Sequence, residues 1–180
     1  MNRLFVLLFS LLLAACNSGL RERTVGLITD SAMVVSAHPL ASAVGVAIMG
    51  KGGNAIDAAI ATQLALAVVY PSAGNIGGGG FMVVRMKDGK TDALDYREKA
   101  PAAASINMCL DEVGGVVAGL SEKGHLANGI PGTVAGLVAA HSKYGSMPWK
   151  ELVQPAIDLA LHGFALTERE AEGLNGIQDE

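Results

Sequence analysis

The sequence predicts an α+β fold organised around residues 70–101, YPSAGNIGGGGFMVVRMKDGKTDALDYREKAP. Three observations carry this. An apolar segment, residues 56–69, stops at Tyr70-Pro71 and delivers the chain into four consecutive glycines, Gly77 to Gly80. Two short runs, residues 81–86 and 91–96, then flank Asp88-Gly89, the strongest short-range hairpin signal in the chain. Helix-forming segments with start and stop signals lie before and after this unit. Both faces of residues 81–86 are largely apolar, so the sheet is expected to carry a layer on each side.

Taken in order, the chain opens on a targeting segment. Asn2-Arg3 give a short positive start, residues 4–12 an apolar core, and Leu13-Ala14-Ala15-Cys16 a small-residue cleavage site ending in cysteine. This resembles a bacterial lipoprotein signal, in which the cysteine is lipid-modified and becomes the new first residue. Residues 1–16 are therefore expected to be a signal ending at a lipidated Cys16, which would anchor the protein to a membrane on its extracytoplasmic, periplasmic side. An ordinary secretory signal with a chance cysteine is the alternative. Asn17 rather than Asp follows, which by the rule known for enterobacteria favours the outer membrane. Residues 17–23 are small and polar, suiting a tether, and residues 24–180 are expected to form the folded part.

Residues 32–36 (AMVVS) read as a buried strand that ends before His38-Pro39. Residues 40–49 read as a helix closed by Gly50 and Gly52-Gly53. A second helix starts at Asn54, a preferred N-cap, with Asp57 in its first turn, where a carboxylate suits the positive end of the helix dipole. It is apolar nearly all round and hence expected to be buried. Thr62 and Gln63 interrupt it, either as core polar groups with partners or as functional groups.

After Pro101, residues 102–128 are small, irregular and punctuated by glycine, as in a long surface excursion. Thr133 is expected to cap a helix running to Tyr144. Pro148 is expected to open another that runs to His162, with Pro155 kinking or dividing it. Thr167 and Glu170 have capping-box spacing and open a last helix, which the end of the sequence is expected to leave unfinished.

Composition narrows the chemistry. With 180 residues and 51% hydrophobic content, the chain has enough apolar surface for one domain of ordinary size. A net charge of −4 without clustered Lys and Arg argues against nucleic acid as a partner. His38, His125, His141 and His162 share no ligand spacing with each other or with a cysteine pair, so no metal and no cofactor are expected. Cys109 has no intramolecular partner if Cys16 is acylated, and reads as a small buried hydrophobe. The glycine run fits neither a Gly-x-Gly-x-x-Gly register nor a phosphate-binding loop. Its glycines could serve tight packing or cradle a ligand. Arg97, at the end of the returning strand, could hold a carboxylate with two parallel hydrogen bonds. It could equally pair with neighbouring Asp95 or Glu98 as a surface salt bridge.

Three stretches carry a family resemblance: AHPLASAVGVAIMGKGGNAIDAAIATQLALAVVYPSAGNIGGGGFMV, then LDYREKAP, then NGIPGTVAGLVAAHSKYGSMPWKELVQPAIDLALHGF. From about Met33 to Phe164 the chain resembles the N-terminal part of the γ-glutamyltransferases, the glutathione hydrolases. The resemblance implies an N-terminal-nucleophile hydrolase with an αββα sandwich, only the leading part of it present. It also implies a precursor that cuts itself into a large and a small subunit. The threonine freed at the start of the small subunit attacks the γ-glutamyl amide, and water or an acceptor amine resolves the acyl-enzyme. Within LDYREKAP, the resemblance makes Arg97 the residue that binds the substrate's α-carboxylate. The implied partners are glutathione or another γ-glutamyl substrate and the small subunit of the same precursor.

The sequence ends at Glu180, inside the large subunit of the family pattern. No catalytic residue is therefore expected in this chain, since the threonine nucleophile should lie beyond Glu180, and the chain alone is expected to be inactive. Thr133 after Gly132 superficially looks like a cleavable Gly-Thr bond, but the family pattern makes it a helix cap. Two other readings stand beside this one: a related acylase of the same superfamily, against which the Arg97 motif argues, and a non-catalytic lipoprotein remnant that binds a partner or a γ-glutamyl ligand.

Overall fold

The computed structural model describes residues 26–177. The expectations for the signal, for Cys16 and for the tether lie outside these residues. The chain divides after Met33 into two units. Among the described residues of the first unit there is no helix or strand, and the Thr29 hydroxyl donates to the Ala32 carbonyl at 3.1 Å. Everything below concerns the second unit.

The expected strand at residues 32–36 does not form. An extended segment becomes a strand only when a neighbour takes its backbone groups, and among the described residues none pairs with this one. Helix α1 (Pro39–Gly50) follows, with proline in its first turn and His38 as its cap. The His38 ring accepts the Leu40 N–H through Nδ1 at 3.2 Å, a cap the sequence reading did not assign. The chain leaves the helix through Gly52 at φ 95°, a left-handed conformation that favours glycine.

Helix α2 (Ala55–Val69) starts as expected. Asn54 accepts the N–H groups of Ile56 and Asp57, and Asp57 accepts the Asn54 N–H in return, closing a capping box. Its faces are covered in several directions, as an all-round apolar helix requires. Gly45 of α1 lies directly on Thr62 of α2, where an added Cβ would collide with the hydroxyl. Thr62 is buried and its oxygen has no hydrogen-bond partner among the described residues.

Strands β1 (Phe81–Arg85) and β2 (Thr91–Asp95) form an antiparallel hairpin in which Met82 faces Leu94 and Val84 faces Asp92. Gly89 takes φ 87° in the connecting turn, matching the Asp-Gly signal. Val84 is buried, and Met82 and Leu94 pack on the helical core. The opposite face, with Phe81 63% and Val83 81% exposed, is bare. The described residues thus cover one side of the sheet, where the sequence predicted layers on both. The excursion at residues 102–128 is mostly exposed and irregular, with one antiparallel bridge between Leu110 and Val116 and a short 3-10 turn at His125–Ala127, and Cys109 within it is half-buried rather than buried.

Helices α3 (Thr133–Tyr144), α4 (Trp149–His162) and α5 (Glu168–Asn175) complete the unit. Gly132, not Thr133, is the cap of α3, and it offers no side-chain hydrogen bond. Pro148 caps α4 from just outside, and Pro155 leaves α4 one unbroken helix. Pro155 is the seventh of the fourteen residues, so it leaves the Glu151 carbonyl without its helical donor, yet the helix runs on past it and the expected division does not occur. The capping box of α5 forms between Thr167 and Glu170, and the helix closes at Asn175 with Gly176 as its cap. Ile48, Ile60, Leu137 and Leu152, one from each of α1 to α4, meet in the core. Each such side chain is worth about 2 kcal/mol on burial.

Candidate functional site: the clamped arginine after strand β2

Arg97 stands two residues past β2, and its backbone is held from several sides. Just before it, the Tyr96 N–H donates to the Gly80 carbonyl at 3.0 Å, prolonging the ladder beyond the strands. Just after it, Lys99 and Ile130 exchange N–H···O bonds of 3.1 and 2.7 Å. On its flank lies Gly79, where a Cβ would come within 2.6 Å of the Arg97 Cα. The Arg97 N–H itself donates to Asp95 Oδ1 at 3.0 Å.

The side chain emerges from this fixed base. Its 66% exposure leaves the guanidinium in solvent, and Nε donates to Glu98 Oε1 at 3.3 Å. Neither terminal nitrogen donates a hydrogen bond among the described residues, so the outer fork is open. The two readings left by the sequence are therefore compatible here: one edge of the guanidinium pairs with Glu98, and the other can meet a carboxylate. The Glu98 backbone N–H, and then the guanidinium, hold the Glu98 carboxyl below the usual carboxylate range.

The glycine run resolves mostly as close packing. A Cβ at Gly80 would come within 2.7 Å of the Tyr96 ring, and one at Gly78 within 2.8 Å of Asn75 Oδ1, whereas Gly77 faces open space. Tyr96 fills the gap that Gly80 and Gly136 leave, and its hydroxyl donates to Gln63 Oε1 at 3.2 Å. Burial pushes the Tyr96 phenol up, with the Gln63 bond acting in the other direction. Gln63 is thereby a polar group with a partner, one of the two readings the sequence allowed.

Near this base lie Asn75, to which the sequence assigned no role, and Thr133, which it made a helix cap. Asn75 accepts the Gly78 N–H at 2.9 Å and the Thr133 hydroxyl at 2.8 Å, and the Gly78 carbonyl accepts the N–H groups of Gly132 and Thr133. The local half of this was signalled, since asparagine ahead of a glycine run commonly bonds the backbone a few residues on. The Thr133 half, 58 residues away, was not.

A family model described as Gamma-glutamyltranspeptidase matches residues 41–179. The chain is 53% identical over 145 residues to a glutathione hydrolase proenzyme of Pseudomonas sp. (strain A14), covering 81% of this chain and 25% of that protein. It is 51% identical to that of Escherichia coli K12, covering 79% and 24%. The crystal structure of Helicobacter pylori gamma-glutamyltranspeptidase superposes with a TM-score of 0.80 at 53% identity, covering 83% of this chain and 43% of that one. The fold is thus the leading part of the mixed α/β N-terminal-nucleophile hydrolase architecture. The chain belongs to the gamma-glutamyltranspeptidase family. It spans about a quarter of the length of the curated relatives it matches.

Proposed function

We propose that this chain is the leading part of the large subunit of a γ-glutamyltransferase, or glutathione hydrolase, and that Arg97 binds the α-carboxylate of its γ-glutamyl substrate. The observation that carries the reading is the open guanidinium fork of Arg97 on a backbone fixed by Gly80, Ile130 and Gly79. Two parallel N–H···O bonds from the fork would fix the glutamyl group, so that its γ-amide meets the nucleophile in one orientation. The nucleophile would be a threonine at the start of a small subunit from the same precursor, and its hydroxyl would form an ester with the γ-carbonyl as the amine leaves. Water or an acceptor amine would then release the glutamyl group. The proenzyme names of the relatives support a second subunit of this origin.

The test is steady-state hydrolysis of a γ-glutamyl anilide by the complete precursor, with Arg97→Lys beside the parent. An ammonium keeps the charge and loses the fork, so KM is expected to rise by at least about tenfold, as for a lost hydrogen bond to a charged group. An unchanged KM removes Arg97 from the substrate site. If the cell instead holds a single polypeptide ending at Glu180 with no smaller companion, the reading as a binding lipoprotein gains.

The location belongs to the same proposal: lipid on Cys16 would hold the protein at the periplasmic side of a bacterial membrane, the outer one by the Asn17 rule. Cys16→Ala is expected to move it from the membrane fraction to the soluble fraction of the envelope. Retention in the membrane would sink the anchor.

A further inference from the structure

We propose that Asn75 and Thr133 form a latch that positions Arg97, by locking the glycine run onto the first turn of α3. This rests on the reading of Arg97 as the carboxylate holder. Thr133 is 0% exposed, and a buried hydroxyl is costly unless it has a partner. It does not serve as the helix cap, because Gly132 holds that position. Its hydrogen bond goes instead to Asn75 Oδ1 at 2.8 Å, and the same oxygen takes the Gly78 N–H at 2.9 Å. From the other side the Gly78 carbonyl accepts the N–H groups of Gly132 and Thr133 at 2.7 and 3.0 Å, two donors that a helix start otherwise leaves free.

Gly78 is thus tied at both its N–H and its C=O to the start of α3. The next residue is Gly79, which lies against Arg97 Cα and Glu98. A run of glycines has no side chains to fix its own course, so Gly79 is held onto the arginine's backbone by the latch on one side and by the Gly80 carbonyl, bonded to the Tyr96 N–H, on the other. Loosening the latch lets that backbone shift, and a guanidinium moved off the substrate carboxylate loses charge-assisted hydrogen bonding worth about tenfold in binding. Asn75 and Thr133 touch no substrate in this account. They act through Arg97.

The experiment uses the complete precursor and a γ-glutamyl anilide. Thr133→Val keeps the shape and removes the hydroxyl, and Asn75→Ala removes the shared acceptor. Each is expected to raise KM by about tenfold with a smaller change in kcat, and Thr133→Ser to return KM to within about twofold of the parent. In an Arg97→Ala background the same substitutions are expected to leave kcat/KM unaltered, because the group they position is gone. A merely structural role predicts the opposite, an equal loss in both backgrounds, and that result overturns the latch. So does a fall in kcat with KM intact, or parental KM in both Thr133→Val and Asn75→Ala. If Thr133→Val does not fold, Asn75→Ala, on a half-buried loop residue, carries the test. Arg97→Lys run in parallel separates the failures. If it raises KM while the latch variants do not, only the latch falls. If it too leaves KM at the parental value, the reading of Arg97 falls and the latch with it.

Discussion

Asp57 is fully buried at the start of α2, yet it is held ionised. Burial works against its charge. The Ser146 hydroxyl at 2.5 Å and the N–H groups of Asn54, Ser146 and Met147 outweigh that, leaving the carboxyl below its ordinary value of 3.8. A carboxylate whose folded pKa is depressed contributes stability that is present above the unfolded value and is lost as pH falls through the folded one. Urea melts taken at pH 6 and at pH 3 should therefore show a drop in stability, and Asp57→Ala should remove Asp57's share of it. At pH 6 the same substitution leaves the Ser146 and Asn54 donors unpaired, and about 3 kcal/mol of destabilisation is expected. A melt within 0.5 kcal/mol of the parent, a margin typical of neutral surface changes, would show that water satisfies those donors instead.

Helix α3 illustrates a conflict between local preference and packing. Gly136 lies in its interior, where alanine would gain about 1 kcal/mol of helix propensity. A Cβ at that point would run into the Tyr96 ring, and overpacking costs about 1–3 kcal/mol. Gly136→Ala is expected to lower stability by about 1 kcal/mol in a denaturant melt, and a gain would mean that Tyr96 has room to turn aside. The same contrast explains what could be read from the sequence. The start of α2, the Asp-Gly hairpin and the capping box of α5 were legible because their determinants lie within four residues of one another. The fate of residues 32–36 was not, because a strand depends on a partner that local pattern does not name. Thr133 was misassigned for a similar reason: it stands beside a helix start, and only contact with Asn75 across 58 residues shows where its hydroxyl goes. Of the candidate site, Arg97 is proposed from the motif around it, while the parts that fix its backbone emerge only when distant segments meet.

At the scale of the whole unit, the sheet divides into a packed face and a bare one. Met82 and Val84 look into the helices, while Phe81 and Val83 lie open beside exposed Ala93. An apolar face on a two-stranded sheet is a surface that seeks another. Expressed as this polypeptide alone, the protein is expected to self-associate, and Val83→Lys to shift it toward smaller species in sedimentation velocity. Equal association in the variant would place the contact elsewhere. That both faces of residues 81–86 are largely apolar was readable in advance. Whether anything covers its second face was not, since that depends on neighbours outside the hairpin.

The paired backbone bonds between Lys99 and Ile130 have a consequence for the path between them. They close the long excursion at its neck, as a knot closes a balloon, so the contour beyond the neck is topologically separate from the arginine beside it. Added residues there raise the closure entropy only slowly, by about 0.6 kcal/mol for each doubling of length. Descendants of this chain are thus free to lengthen, shorten or redecorate that segment while the guanidinium keeps its address.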